Sequence, residues 1–198
     1  MNDALRDELL ALEAEDRRVR AELAAEGVLG DGYHPRMEDA HRRNAARLKE
    51  VIDAHGWPGN SLVGEDGARA AWLVLQHAIG EPPLQRRGLE LLRQAVAAGE
   101  APAWQAAYLE DRVRFFEGRP QVYGTQYEWG EDGQLGPYPV EDMAGVDERR
   151  RSVGLWLLAE NTRRMREDTA RSGEGPPADL AGWRRKMEEW ARSVGWRE

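Results

Sequence analysis

Two polar residues, Gln76 and His77, lie inside the apolar segment 68–79, which reads ARAAWLVLQHAI. A helix that is apolar on all sides is buried, and a buried polar group costs free energy unless it finds a partner. Histidine is the side chain best suited to general acid–base chemistry near neutral pH, whereas a core histidine held by hydrogen bonds is the simpler alternative. The pair therefore indicates a buried polar cluster in which His77 is a general acid/base or a structural residue.

Polar residues also interrupt the apolar faces of four other predicted helices, where buried positions recur at spacings of three and four residues. The interruptions are Asp16, His41, Asn44, Asp111 and Arg150. Because buried charges are paired or neutralised, we expect Asp16, Asn44, Asp111 and Arg150 to share one polar layer with Gln76 and His77. The alternative is a set of separate structural contacts, with each Asp in an ion pair and Arg150 bridged to an acidic neighbour.

The same residues predict a site for a small polar or anionic metabolite. His77 is the expected general acid/base, and Asp111 or Asp16 orients its ring. We expect substrate contacts from Trp57, Gln76, Arg112, Tyr123, Thr125, Gln126, Asp147 and Arg150. In this interpretation the loop 121–126 closes over the pocket and Trp57 forms a wall; the alternatives are a plain connector and a core-capping tryptophan.

Composition excludes several classes of function. The net charge is −8 and no basic stripe is interleaved with aromatics, so we expect neither nucleic acid nor a membrane surface as partner. The absence of cysteine excludes disulfides, Fe–S clusters, thiolate zinc sites and a cysteine nucleophile. No apolar run reaches transmembrane length and the N-terminus is acidic, so we expect a cytoplasmic protein.

The histidines do not show the dense spacing of a metal motif. A mixed site of His77 with Asp16 or Asp111 is geometrically feasible, but arginines and amides suit an organic anion better. We therefore expect no metal and no cofactor.

Helical periodicity dominates the chain. The positions of Gly and Pro predict helices over 3–26, 35–55, 65–79, 84–99, 103–118, 146–171 with a bend at Gly154, and 179–194. We expect a mostly all-α fold: one compact multi-helix domain over 1–171, with a small irregular or β-hairpin insert near 119–140. A linker over 172–178 and a C-terminal helix within 179–198 follow. That helix packs on the core or binds a protein partner or a second copy.

A combination of short motifs resembles an uncharacterised bacterial family of helical proteins. The motifs are Asp16-x-x-x-Arg20, Gly56-Trp57-Pro58, Gln76-His77-Ala78, Asp111-Arg112, Gln121-x-Tyr123-Gly124-Thr125-Gln126, and Asp147-x-Arg149-Arg150 with Gly154-Leu155 downstream. The resemblance covers about residues 16–158. It implies a helical fold and brings no established activity.

The leading interpretation is a cofactor-independent enzyme that uses acid–base chemistry for elimination, ring closure or hydrolysis, and so a lyase or a hydrolase. A chain rich in Gly, Ala, Arg and Trp and poor in Lys is typical of high-GC bacteria, which suggests secondary metabolism by analogy. The alternative is a non-catalytic helical protein, a partner-binding protein or subunit, whose polar layer is structural.

Overall fold

The computed structural model describes residues 1–28 and 32–198. These residues form eight helices and a two-stranded antiparallel hairpin, which confirms the predicted mostly helical fold. The helices are α1 (Asp3–Ala25), α2 (Pro35–His55), α3 (Asn60–His77), α4 (Pro82–Ala97), α5 (Ala103–Phe116), α6 (Val146–Ser152), α7 (Leu158–Ser172) and α8 (Leu180–Ser193). The strands are β1 (Tyr127–Trp129) and β2 (Leu135–Pro137). None of the described helices is long and apolar enough to cross a membrane.

The chain divides into two compact units, Met1–Gln105 and Ala106–Glu198. In the first unit, α1 packs against α2 and α3, and α3 also contacts α2 and α4. In the second unit, α7 contacts β2 and α6. The predicted division into a domain over 1–171, a linker and a C-terminal helix stays a prediction.

Local sequence sets most of the helix ends. Proline is favoured at the first position of a helix, and α2 begins at Pro35 and ends before Gly56, whose φ is 73°. Helix α3 begins five residues earlier than predicted, at Asn60. A left-handed backbone at Gly64 (φ 73°) joins the extra turn to the main helix as a kink.

The helix predicted over 146–171 is two helices instead of one bent helix. Gly154 adopts φ 76° after the end of α6, a conformation that terminates helices. The carboxylate of Asp147 accepts a hydrogen bond from the backbone N–H of Leu158, the first residue of α7. Asp147 therefore helps to start a second helix, which periodicity alone did not show.

The predicted hairpin forms between β1 and β2. The turn between β1 and β2 contains Gly133 (φ 72°), and the N–H of Gly130 donates to the carbonyl of Gln134.

The C-terminal helix packs through aromatic side chains. Trp190 of α8 and Trp196, which follows α8, pack against Phe116, with ring centroids 5.6 Å and 5.4 Å away. These contacts favour the core-packing alternative for the C-terminal helix.

Helices α3 and α4 approach closely at a glycine. A Cβ atom added at Gly88 of α4 would lie 2.5 Å from Cδ2 and 2.7 Å from Cδ1 of Leu75 in α3. Leu75 is fully buried, so its side chain has little space in which to move. The missing side chain at Gly88 is therefore a packing requirement.

We expect Gly88→Ala to destabilise the protein, although alanine is normally the better helix former. Overpacking costs about 1–3 kcal/mol and the gain in helix propensity is about 1 kcal/mol, so the net loss is about 1 kcal/mol. Gly80→Ala is the matched control, because nothing lies within 4 Å of a Cβ there. Urea unfolding of both variants measures the effect, and a Gly88→Ala protein as stable as the wild type contradicts it.

Candidate functional site

Three side chains from three helices meet at one carboxylate oxygen in the first unit. Asp16 of α1 lies between His77, the last residue of α3, and His41 of α2. His77 Nδ1 is 2.8 Å and His41 Nε2 is 2.9 Å from Asp16 Oδ2. The ring centroids of the two histidines are 5.1 Å apart. The structure thus brings together the predicted Asp16 and His77, and adds His41.

Exposure increases across this cluster. The side chain of Asp16 is 3% exposed, that of His41 is 10% exposed and that of His77 is 28% exposed. A neighbouring apolar cluster consists of Val19, Leu23, Met37 and Ala40, with Val28 and Tyr33 packed against it. Apolar surroundings strengthen electrostatic contacts because they exclude water. His77 is the member that solvent or a ligand reaches most easily.

The histidines keep Asp16 ionised in spite of its burial. Burial alone would raise the pKa of Asp16, but the contacts with His41 and His77 outweigh it and hold that pKa below its ordinary value. An ionised carboxylate only accepts hydrogen bonds, so Nδ1 of His77 is the donor. Nε2 of the neutral His77 ring then carries the lone pair, an arrangement also found in histidine–aspartate pairs that act as general bases.

Further contacts hold the cluster from α2 and from the segment before it. The hydroxyl of Tyr33 lies 2.7 Å from Nδ1 of His41, and burial raises the pKa of that hydroxyl, so it stays protonated. The side-chain amide of Asn44, one turn beyond His41, donates to the carbonyl of Leu12, one turn before Asp16. These bonds fix α1 and α2 next to the carboxylate.

A buried glutamine on α4 positions the end of α3. The last carbonyls of a helix have no partner within the helix. Gln85 is fully buried, and its Nε2 donates to the carbonyls of Leu75 and Gln76. The side chain of Gln76 is itself buried. Gln85 therefore supports the backbone that presents His77.

Sequence reasoning did not select His41 or Gln85 as site residues, although each gave a signal. His41 stands in the buried seam of α2, and Gln85 interrupts the apolar face of α4. Both signals have the form that singled out Asp16.

A small cavity adjoins the cluster on the His41 side. It has a volume of about 40 Å³, and its lining includes Tyr33, His41 and Ala78. This space is large enough for water, since one water needs about 10–15 Å³.

Trp57 lies far from this cluster. Helix α2 rises about 1.5 Å per residue, so His55 is about 21 Å beyond His41 along the axis, and Trp57 follows His55. Trp57 is half-buried at that end of the unit. The structure does not place it against Asp16, His41 or His77.

In the second unit, Asp111 anchors the loop 121–126. Its carboxylate accepts hydrogen bonds from the backbone N–H groups of Val122, Tyr123 and Thr125, at 2.7–3.2 Å. Burial raises the pKa of Asp111, while these backbone hydrogen bonds oppose the rise. The contacts are those of a loop anchor, and its predicted part in catalysis stays a prediction.

Gln121 closes the same loop from inside. Its side chain is fully buried; Nε2 donates to the carbonyls of Gln126 and Tyr138, and Oε1 accepts from the N–H of Gln126. The side-chain amide of Gln126 donates to the hydroxyl of Thr125. These hydrogen bonds are typical of a well-bonded connector, and the predicted closing of the loop over a pocket stays a prediction.

Arg150 supports this loop from α6. Its side chain is almost fully buried and donates to the carbonyls of Tyr123, Gly124 and Trp156. Burial lowers the pKa of Arg150, and burial also lowers the pKa of Arg112 to about 10. Both guanidinium groups remain charged at neutral pH. The structure thus joins Asp111, the loop and Arg150 through backbone groups.

Asp147 also borders an open hollow on the second unit. The hollow has a volume of about 630 Å³, and its lining includes Asp147, Arg163 and Arg166. The size falls within the usual range of small-molecule sites.

Each unit has its own polar cluster. Asp16 and His77 meet in the first unit, and Asp111 and Arg150 contact the same loop in the second. A single layer that also includes Asn44 and Gln76 stays a prediction.

A sequence profile described as "Family of unknown function (DUF6624)" matches residues 3–171 of the chain. The chain belongs to this family. The expected membership of an uncharacterised helical family is thereby confirmed. No curated protein and no solved structure matches the chain.

We expect Asp111→Asn to destabilise the second unit. The amide turns one acceptor oxygen into a donor facing backbone N–H groups, and an unsatisfied buried group costs about 1–3 kcal/mol. Glu131→Gln, an exposed carboxylate at the hairpin turn, is the control. Denaturant unfolding measures both, and equal stability of the two variants contradicts the anchoring role.

Proposed function

We propose that this protein is an enzyme whose reaction centre is the Asp16–His41–His77 cluster, with His77 as the group that takes up and releases a proton. The observation that carries the proposal is the 2.8 Å contact between His77 Nδ1 and a buried, ionised Asp16. This contact leaves the opposite ring nitrogen basic and stabilises the imidazolium that forms when it takes a proton. The end of α3 adds to this effect, since helix C-termini favour positive charge.

The reaction classes that need only this equipment are hydrolysis, elimination and ring closure. In each of them a base removes a proton from water or from the substrate and later returns it, as His77 would do through Nε2. Such proton transfer contributes about 10²- to 10⁴-fold to the rate. No organic cofactor is needed, and the enzyme would be a hydrolase or a lyase.

The proposed substrate is a small polar or anionic metabolite. This choice keeps the sequence-based argument that arginines and amides suit an organic anion. We place the activity in the bacterial cytoplasm, with secondary metabolism as its setting, from the composition of the chain.

A second candidate function follows from the polar residues of the second unit. The carboxylate of Asp111 and the guanidinium of Arg150 are both occupied by backbone groups of their own unit. This saturation favours a structural role for that cluster, as in a non-catalytic protein that binds a partner protein or a second copy.

The test is untargeted mass spectrometry of a bacterial metabolite extract incubated with purified protein. We expect the wild type to deplete a small polar or anionic compound, and His77→Ala to slow this about 10²- to 10⁴-fold because the base is lost. His55→Ala is the matched control, since His55 is exposed at the far end of α2. Circular dichroism checks that each variant is folded.

Two results contradict the proposal. In one, the wild type changes no compound in the extract. In the other, folded His77→Ala protein changes the same compounds at the wild-type rate.

A further inference from the structure

We propose that Asp16, His41 and His77 form a binding site for a divalent transition metal ion of the Zn²⁺ or Fe²⁺ type. This inference rests on the proposed function only in taking the same cluster as the reaction centre. It replaces the sequence-based expectation of a site without metal.

The donor set selects the class of ion. Two imidazole nitrogens and one carboxylate oxygen are the ligands of catalytic zinc sites and of non-haem iron sites that keep positions open for water or substrate. Mg²⁺ and Ca²⁺ prefer sets of oxygen ligands, and Cu(I) prefers sulfur. The chain contains no cysteine, so imidazole and carboxylate are the strong ligands that it can offer a transition metal.

The spacing of the donors fits coordination to one ion. All three donor atoms lie within 4.8 Å of one another. The two nitrogens are 2.8 Å and 2.9 Å from Asp16 Oδ2. Two ligands each about 2.1 Å from a metal are about 3.4 Å apart at the tetrahedral angle and about 3 Å apart at right angles. Each histidine therefore lies within about 0.6 Å of a ligand position next to the carboxylate.

The orientation of His41 supports the same conclusion. Its Nε2 is buried and close to Asp16 Oδ2, yet it forms no aligned hydrogen bond with that oxygen. A buried polar atom without an aligned partner calls for an explanation, and an ion between the donors provides one. Nδ1, the other ring nitrogen, is held by the hydroxyl of Tyr33, as metal-binding histidines usually are on the side away from the metal.

Space for further ligands lies next to His41. The cavity of about 40 Å³ lined by Tyr33, His41 and Ala78 is large enough for water. Three protein ligands leave a tetrahedral ion at least one open position, which water can fill. Asp16, His41 and His77 would hold the ion, and the ion would supply Lewis-acid chemistry that lowers the pKa of a bound water. That water would replace Nε2 of His77 as the group that gives up a proton, because a His77 ring bound to the ion through Nδ1 carries its proton on Nε2.

The test is isothermal titration of Zn²⁺ into tag-free protein that has been treated with a chelator and dialysed. We expect one site per chain and no comparable heat with Mg²⁺. Because loss of an outer partner already costs about 10- to 100-fold in affinity, His41→Ala and Asp16→Asn should lose at least about 100-fold. Tyr33→Phe should lose about 10-fold.

Two controls keep the result interpretable. His55→Ala removes an exposed histidine outside the cluster and should bind Zn²⁺ like the wild type. Thermal unfolding with and without Zn²⁺ gives a second readout, because an ion that binds the folded state raises Tm. If His41→Ala does not fold, Tyr33→Phe carries the comparison, since it keeps the ring and removes only the hydroxyl.

The outcomes separate this inference from the proposed function. Absence of Zn²⁺ binding by the wild type, or wild-type affinity in folded His41→Ala, overturns the metal site even if His77-dependent turnover is found. Binding that needs Asp16 and His41 supports the site even if the extract shows no turnover, a result that would count against the proposed function alone.

Discussion

The first unit is organised around one buried negative charge. Asp16 is placed in the interior by the apolar seam of α1, where an unpaired carboxylate would be very costly. His41 and His77 meet that charge from α2 and α3, so the cost of burial is offset only when three helices are correctly placed. Asn44 and Gln85 hold the backbone around it. The constraint that stabilises this packing also leaves a basic nitrogen on the most exposed of the three side chains.

In the second unit, backbone groups and not imidazole side chains satisfy the buried charges. Asp111 and Arg150 are as deeply buried as Asp16, but each is satisfied by backbone groups of the loop 121–126 and its surroundings. Backbone amides cannot exchange protons as imidazoles do near neutral pH, so this arrangement fixes a loop and does not prepare a general base. Burial of a charge alone therefore does not indicate a catalytic group. The groups that contact the charge decide whether a proton can be transferred there.

The ends of most helices could be predicted from the sequence, because Gly and Pro restrict or free the backbone at their own positions. Pro35 and Gly56 mark the ends of α2 through their own backbone preferences. The bend predicted at Gly154 is a full break over 153–157, and its extent was not predicted because it depends on Asp147 reaching Leu158. The site was predicted in part: Asp16 and His77 stood out as polar residues in apolar seams. His41 and Gln85 were not selected, since their importance comes from contacts 25 and 9 or 10 residues away along the chain, which periodicity does not reveal.

Ionised Asp16 accepts a hydrogen bond from Nδ1 of His77, and the proposed function requires Nε2 to be the basic nitrogen of that ring. The most direct measurement is the tautomer of His77 in chelator-treated protein, read from the ¹⁵N chemical shifts of its ring nitrogens by NMR above the pH at which the ring titrates. We expect a protonated Nδ1 and an unprotonated Nε2. A ring protonated mainly at Nε2 would contradict it.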